Sequence, residues 1–385
     1  LKKLSVWIFF LIFKKIMNKP YFNNLDVYRG IAALLVFISH LRNAYFKDYV
    51  HIEDNNYLID FFYFITSLGH AAVIIFFVLS GFVITNLIFK DWDSFSFSEY
   101  AINRLVRLWV VLIPSIIFAL IVYYLLSIYS PEIIQGNYRD IINSGPSFEY
   151  NKISIFQILG NIFFLQEILV ETFSINGPLW SLSYEFWYYI LFPVLLFNLE
   201  IFKNNTSKTK VSYFFIILVL ILLLIPFKIL LYFIVWLLGS LVYFLRKVQI
   251  KYLKINVILS LVIFSLSLIN YKLKIFELKN FYQDFVIAIG FGYFLLVTLN
   301  LNIKIFKIRI FHQLSKISYS LYLFHFPMVL ILFALIQTDK VILNLINFIY
   351  FLSICCFIIL IVNLFWLIFE KNTNFIRDKV KNFLK

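Results

Sequence analysis

The chain has 385 residues, 62% hydrophobic and only 14% charged, far too apolar for a soluble domain whose surface must face water. Its formal charge of +14 lies in short Lys and Arg clusters between apolar runs, the pattern of membrane topology signals rather than of a nucleic-acid surface. The two cysteines, Cys355 and Cys356, are adjacent within an apolar run, which argues for packing and against a structural disulfide or a metal site.

The chain opens with "LKKLSVWIFFLIFKKI". Its apolar stretch is too short to span a bilayer, has lysines on both sides and lacks a small-residue cleavage site. Residues 1–21 are therefore expected to be a basic cytoplasmic tail, with Met17 a candidate start. Apolar runs long enough to cross follow near 26–44, 68–89, 108–129, 179–199, 211–225, 229–245, 255–270, 284–300, 317–337 and 344–369, which predicts ten spans. The stretch "IFQILGNIFFLQEILV" at 155–170 is interrupted by Gly160, Asn161, Gln166 and Glu167 and is expected to be re-entrant or interfacial. With both termini in the cytoplasm, 24 of the 34 Lys and Arg fall inside and 9 outside, Arg29 being within the first span. A full crossing at 155–170 would turn "RKVQIKYLK" and the later clusters outward. The expected fold is all-α and polytopic, with one transmembrane domain over 22–372 and a cytoplasmic tail over 373–385.

A charge at mid-membrane costs about 2.5–3.5 kcal/mol on insertion scales and needs a partner or a wet cavity. The first span, "LDVYRGIAALLVFISHL", holds Arg29 and His40. Eleven residues at 100° each bring them to one face, about 16 Å apart along the axis. They can line a passage, or Arg29 can snorkel while His40 bonds a neighbouring helix. In the second span, Ser80 and Gly81 of "FFVLSGFVIT" suit close helix packing. Arg104 and Arg107, three apart, share a helical face and form either a phosphate clamp or cytoplasmic anchors. The fourth span opens "NGPLWSLSYEFWYYILFP", with Trp180, Ser181 and Ser183 before Glu185 about two turns in. A bare carboxylate there must be protonated or paired, and His40 lies near the matching depth. In the ninth span His325 precedes Pro327, where helix hydrogen bonding is weakened.

Together with "RLVRLWVVLIP", "ISYSLYLFHFPMV" and the closing "FEKN", these motifs resemble, in order and spacing, the acyltransferase family 3 membrane proteins over about residues 22–372. The resemblance implies ten spans in the cytoplasmic membrane and cytoplasmic acyl-coenzyme A, acetyl-CoA foremost, as donor, with no metal. It further implies a carbohydrate hydroxyl, as in exopolysaccharide or O-antigen, as acceptor on the other side. It assigns Arg29 and His40 to the paired motif needed for activity and Arg104 and Arg107 to coenzyme A. Ser80, Gly81, Trp180, Ser181, Ser183 and His325 become candidate substrate-binding positions. Asn372 stands where a proline is usual, and no fused hydrolase-like domain is expected within the 385 residues. The expected chemistry has His40 as general base, oriented by Glu185, or His40 as an acyl carrier. A transporter or polysaccharide exporter is the rival that buried Arg, His and Glu also suit. The oligomeric state is left open.

Overall fold

Ten long helices follow the ten apolar runs. The computed structural model describes residues 22–52, 56–90, 92–138, 144–146, 153–204, 208–299, 301, 309–336 and 340–384; the tail expected at 1–21 lies outside these. The long helices are α1 (Phe22–Tyr45), α3 (Gly69–Lys90), α4 (Phe97–Tyr129), α6 (Trp180–Asn204), α7 (Lys208–Leu224), α8 (Phe227–Leu245), α9 (Leu253–Leu273), α10 (Asn280–Leu299), α11 (Arg309–Ile336) and α12 (Leu345–Ile368). Shorter helices accompany them, α2 (Tyr57–Thr66), α5 (Ile155–Ile162) and α13 (Thr373–Phe383), besides a single turn at Pro131–Ile134. Among the described residues there is no strand, only two isolated bridges. Among the described residues, eight helices are long and apolar enough to cross a membrane. Of the other two, α6 is diluted by Ser181, Ser183 and Glu185 in its first turns, and α7 has only 17 residues. The molecule is an all-α polytopic membrane protein.

Its exterior agrees with a hydrocarbon surround. Helix α9 packs against α10 and turns Ile255, Ile258, Leu259, Val262 and Leu266 outward. In water such exposure would forfeit about 25 cal/mol per Å²; against lipid tails it costs nothing comparable. The 33 residues of α4 make a helix of about 50 Å, longer than the roughly 30 Å hydrocarbon core. Its first turns, which carry Arg104 and Arg107, therefore extend to the end of the bundle where "RKVQIKYLK" joins α8 to α9. We refer to this as the basic end.

The segment at 155–170 does not cross. Helix α5 has only 8 residues, about 12 Å, and the chain then turns through Phe164 and Glu167, both with left-handed backbone (φ 59° and 64°). Trp109 of α4 donates to the Ile162 carbonyl at 2.8 Å, and Ser183 and Trp187 of α6 both donate to the Phe164 carbonyl at 2.9 Å. These bonds satisfy backbone groups that hydrocarbon would leave bare. The segment starts from the end where α4 stops and returns to the end where α6 begins.

At the core of the bundle α1 lies along α11, and α3 lies along α8. The second contact depends on facing glycines. A Cβ on Gly81 would stand 2.0 Å from the Trp236 carbonyl oxygen, and one on Gly239 would stand 1.8 Å from that of Val78. Both obstacles are backbone, so neither can step aside. Gly239→Val is expected to abolish monodisperse protein in fluorescence-detected size exclusion, because overpacking that displaces backbone costs more than the usual ~1–3 kcal/mol. Gly292→Ala, whose Cβ would meet only Val242 at 3.6 Å, should elute as the wild type does; a well-folded Gly239→Val would refute the close approach. The tail expected at 373–385 is helical through Phe383, and its Lys381 comes within 3.9 Å of Glu99 at the start of α4.

Candidate active site

Arg29, Arg104 and Arg107 come from α1 and α4 and line a single cavity of about 140 Å³ at the basic end. Ser80, Ser181, Glu185, Tyr189, Tyr319 and Tyr322 complete its polar wall. The three arginines differ in what holds them. Arg29 donates from Nη2 to the Ser315 carbonyl of α11 at 3.0 Å and stands 3.5 Å from Asp26. Arg107 lies 3.9 Å from Glu370. That carboxylate is buried and also accepts from the amide and hydroxyl of Ser320, at 3.1 and 2.7 Å. The Nε atoms of Arg29 and Arg104 are buried with no hydrogen-bond partner among the described residues. A guanidinium donor left unmatched out of water costs free energy, and an anionic ligand in the cavity would recover it.

Glu185 is tied into a different network from the one expected. Tyr189, one turn on, donates to its carboxylate; the Ser80 hydroxyl lies 3.4 Å from the Tyr189 hydroxyl and accepts from the Trp236 indole at 3.2 Å. Tyr100 donates to the Tyr189 carbonyl at 3.0 Å. Ser80 therefore lines the cavity and fixes the pair that faces the arginines.

His40 shares a face of α1 with Arg29, as the spacing predicts: both meet α11, Arg29 at Ser315 and His40 at His325, with ring centroids 5.3 Å apart. Phe326 flanks His40 edge-on at 5.1 Å. No hydrogen bond or ion pair joins His40 to Glu185 among the described residues, and His40 does not line the arginine cavity. The connection between them runs through α11. The His325 ring also neighbours Tyr322 at 6.1 Å, and Tyr322 lines the cavity, where its hydroxyl is 2.7 Å from Ser181 and donates to the Pro178 carbonyl at 2.6 Å. His325 itself is fully buried. Its Nδ1 faces the carbonyls of Leu321 and Tyr322, each at 2.9 Å, so Nδ1 carries the hydrogen. Its Nε2 then presents a lone pair, without a partner among the described residues.

Two of the expected binding positions do other work. Gly81 is the contact point of α3 with α8. Ser183, fully buried, holds the turn at Phe164. Trp180 lines a second, wider cavity of about 940 Å³ at the opposite end, together with His70, Tyr232, Tyr271 and Asp284. His70 and Asp284 belong to no motif of the sequence, although each sits in the first turns of an apolar helix, where a titratable residue is a signal. Glu370 belongs to the closing motif "FEKN".

The fold and these cavities define a class: an integral membrane protein with a buried arginine pocket at one end and an open polar cavity at the other. The chain belongs to acyltransferase family 3, whose acyltransferase-domain model matches residues 22–368. It is similar to the peptidoglycan O-acetyltransferase OatA of Listeria monocytogenes serovar 1/2a, 28% identical over 202 residues, which are 50% of this chain and 27% of that protein. It is also similar to the O-acetyltransferase OatA of Staphylococcus aureus strain NCTC 8325, 27% identical over 202 residues, 51% of this chain and 28% of the relative. The matched region thus spans under a third of these relatives' length. No solved structure matches the chain.

Proposed function

We propose that the protein is an O-acyltransferase of the cytoplasmic membrane. It would take an acetyl group from acetyl-coenzyme A at the basic end and place it on a carbohydrate hydroxyl at the opposite end. The observation that carries this reading is the convergence of three guanidiniums on one cavity, two of them with a buried, unmatched Nε. Forked guanidiniums suit the phosphates of coenzyme A, and the family and the names of the relatives supply the group transferred.

In this reading the hydroxyl oxygen attacks the thioester carbonyl carbon, the C–S bond breaks, and the coenzyme A thiol leaves. His40 takes the hydroxyl proton and returns it to the departing sulfur. Beside His40 stands His325 rather than Glu185, so the expected orienting role passes to the imidazole whose tautomer the α11 carbonyls fix. Glu185 instead faces the arginines and holds Tyr189. The arginine cavity is smaller than the roughly 300–1,000 Å³ of ordinary ligand sites, so the pantetheine arm must widen it past Tyr322 to bring the thioester within reach of His40.

The test uses purified protein in nanodiscs, acetyl-labelled acetyl-CoA and the envelope polysaccharide of the producing bacterium. The expected result is label in a base-labile ester on the glycan, with one coenzyme A released per ester. Acetyl-CoA left intact in the presence of acceptor would defeat the proposal and restore the exporter reading. Rapid quench without acceptor separates direct transfer from an acyl-His40 intermediate, which only the second route accumulates.

A further inference from the structure

The wide cavity at the end opposite the arginines contains a fixed imidazole that nothing so far has used. His70, at the start of α3, places Nε2 2.9 and 3.0 Å from the two carboxylate oxygens of Asp284 on α10. Tyr232 of α8 donates to the same carboxylate at 2.5 Å. The Asp284 side chain is only 2% exposed while that of His70 is 39% exposed, so the acid is sunk in the wall and the ring opens to the cavity. A carboxylate can only accept; Nε2 therefore carries its hydrogen, and Nδ1 is left as the nitrogen available to a ligand. No described residue hydrogen-bonds Nδ1. Burying a carboxylate is costly unless its lone pairs are matched, and here two donors from two helices match them. The arrangement holds the imidazole in one orientation with one tautomer, as a carboxylate does for a histidine that must meet a substrate.

The surroundings define the ligand. Trp180 and Tyr271 flank His70 with rings nearly parallel to it, at 19° and 13° and centroid distances of 6.2 and 6.0 Å. The rest of the lining is polar and of both charge signs, including Gln283. Flat aromatic faces suit the C–H faces of a sugar ring, while amides, carboxylates and a fixed imidazole suit its hydroxyls. The volume of about 940 Å³ is at the upper end of the ligand-site range and holds several sugar residues rather than one small metabolite.

We propose that this cavity is the acceptor site and that His70, locked by Asp284 and Tyr232, receives a hydrogen bond from a hydroxyl of a bound saccharide. The inference rests on the acyltransferase reading above and adds the place and the contact that the acceptor uses. It makes His70 a binding residue and leaves the proton transfer to His40.

The informative variant is His70→Lys, whose ammonium can still donate to Asp284 but has no acceptor to replace Nδ1, with His70→Gln, which keeps an acceptor oxygen, as its milder partner; Tyr271→Ala is the second. All are assayed in nanodiscs with acetyl-CoA and the isolated envelope polysaccharide, each varied at saturating concentration of the other. His70→Lys is expected to raise the half-saturating polysaccharide concentration about tenfold, the equivalent of one lost hydrogen bond, and His70→Gln to raise it less. Tyr271→Ala should raise it by a factor similar to that of His70→Lys, and the half-saturating acetyl-CoA concentration should stay within about twofold. Acceptor saturation unchanged in folded His70→Lys and Tyr271→Ala would overturn the inference alone. So would an equal rise in both constants, because a merely structural role moves donor and acceptor together. A wild-type protein that makes no ester would overturn the acyltransferase reading, and this inference with it.

Discussion

His40→Ala is expected to lower acetyl transfer by at least about 10²-fold, the lower bound for a positioned general base, while acetyl-CoA binding stays intact. Two features of the structure separate these effects. His40 lies outside the arginine cavity, beside His325 and Phe326, so its loss removes no contact from the donor's phosphates. It is also only half-buried, so truncation leaves a smaller void than removal of a core ring would. His40→Gln keeps most of the volume and should be as inactive as alanine, which distinguishes proton transfer from packing. Activity within tenfold of the wild type in either folded variant would remove His40 from the chemistry. His325→Gln should fall between the wild type and the His40 variants, because the His325 ring neighbours His40 without lining the cavity.

The second large effect is on the donor. Each hydrogen bond to a charged group is worth about 1.5–3 kcal/mol, so Arg104→Ala and Arg107→Ala should each raise the half-saturating acetyl-CoA concentration by about 10- to 150-fold. Lysine at either position should recover only part of this, since it keeps the charge and loses the fork. The two arginines should differ in stability. Arg104 has a buried Nε without a partner, so its removal relieves an unmatched donor, and the unliganded variant should melt no lower than the wild type. Arg107 is paired at 3.9 Å to a buried Glu370 while its own side chain is 41% exposed, and solvent screening keeps the cost of its removal small. Donor saturation unchanged in both alanine variants would mean that the pair anchors the protein to the membrane face and does not bind coenzyme A.

Much of the architecture was legible in the chain because a bilayer imposes length and charge rules that a single sequence obeys. The ten apolar runs, the short interrupted stretch at 155–170 and the common face of Arg29 and His40 follow from span length, Lys and Arg placement and helical period. The site was less legible, because periodicity gives depth and face along one helix but not which helix lies opposite. Span positions put Glu185 and His40 near one depth, and yet they face different neighbours, Tyr189 on one side and His325 on the other. Ser183 looked like a ligand-facing hydroxyl, but it bonds a carbonyl in a turn whose left-handed residue, Phe164, no propensity would have singled out. Gly81 reads as a packing residue on spacing alone, and its partner Gly239 becomes visible only once α3 and α8 are side by side. The His70 and Asp284 pair bridges 214 residues of sequence, so each residue signals a site only by itself and the pairing needs the fold.

Donor and acceptor are proposed to meet the bundle at opposite ends, and sidedness tests this most directly. The protein is reconstituted into sealed vesicles, and the fraction with the basic end outward is measured by protease access to Lys379 and Lys381. Acetyl-CoA is then supplied outside, with the envelope polysaccharide trapped inside. The prediction is ester on the enclosed glycan in proportion to that fraction, with coenzyme A released outside. Ester formed only when donor and polysaccharide share a compartment would contradict it.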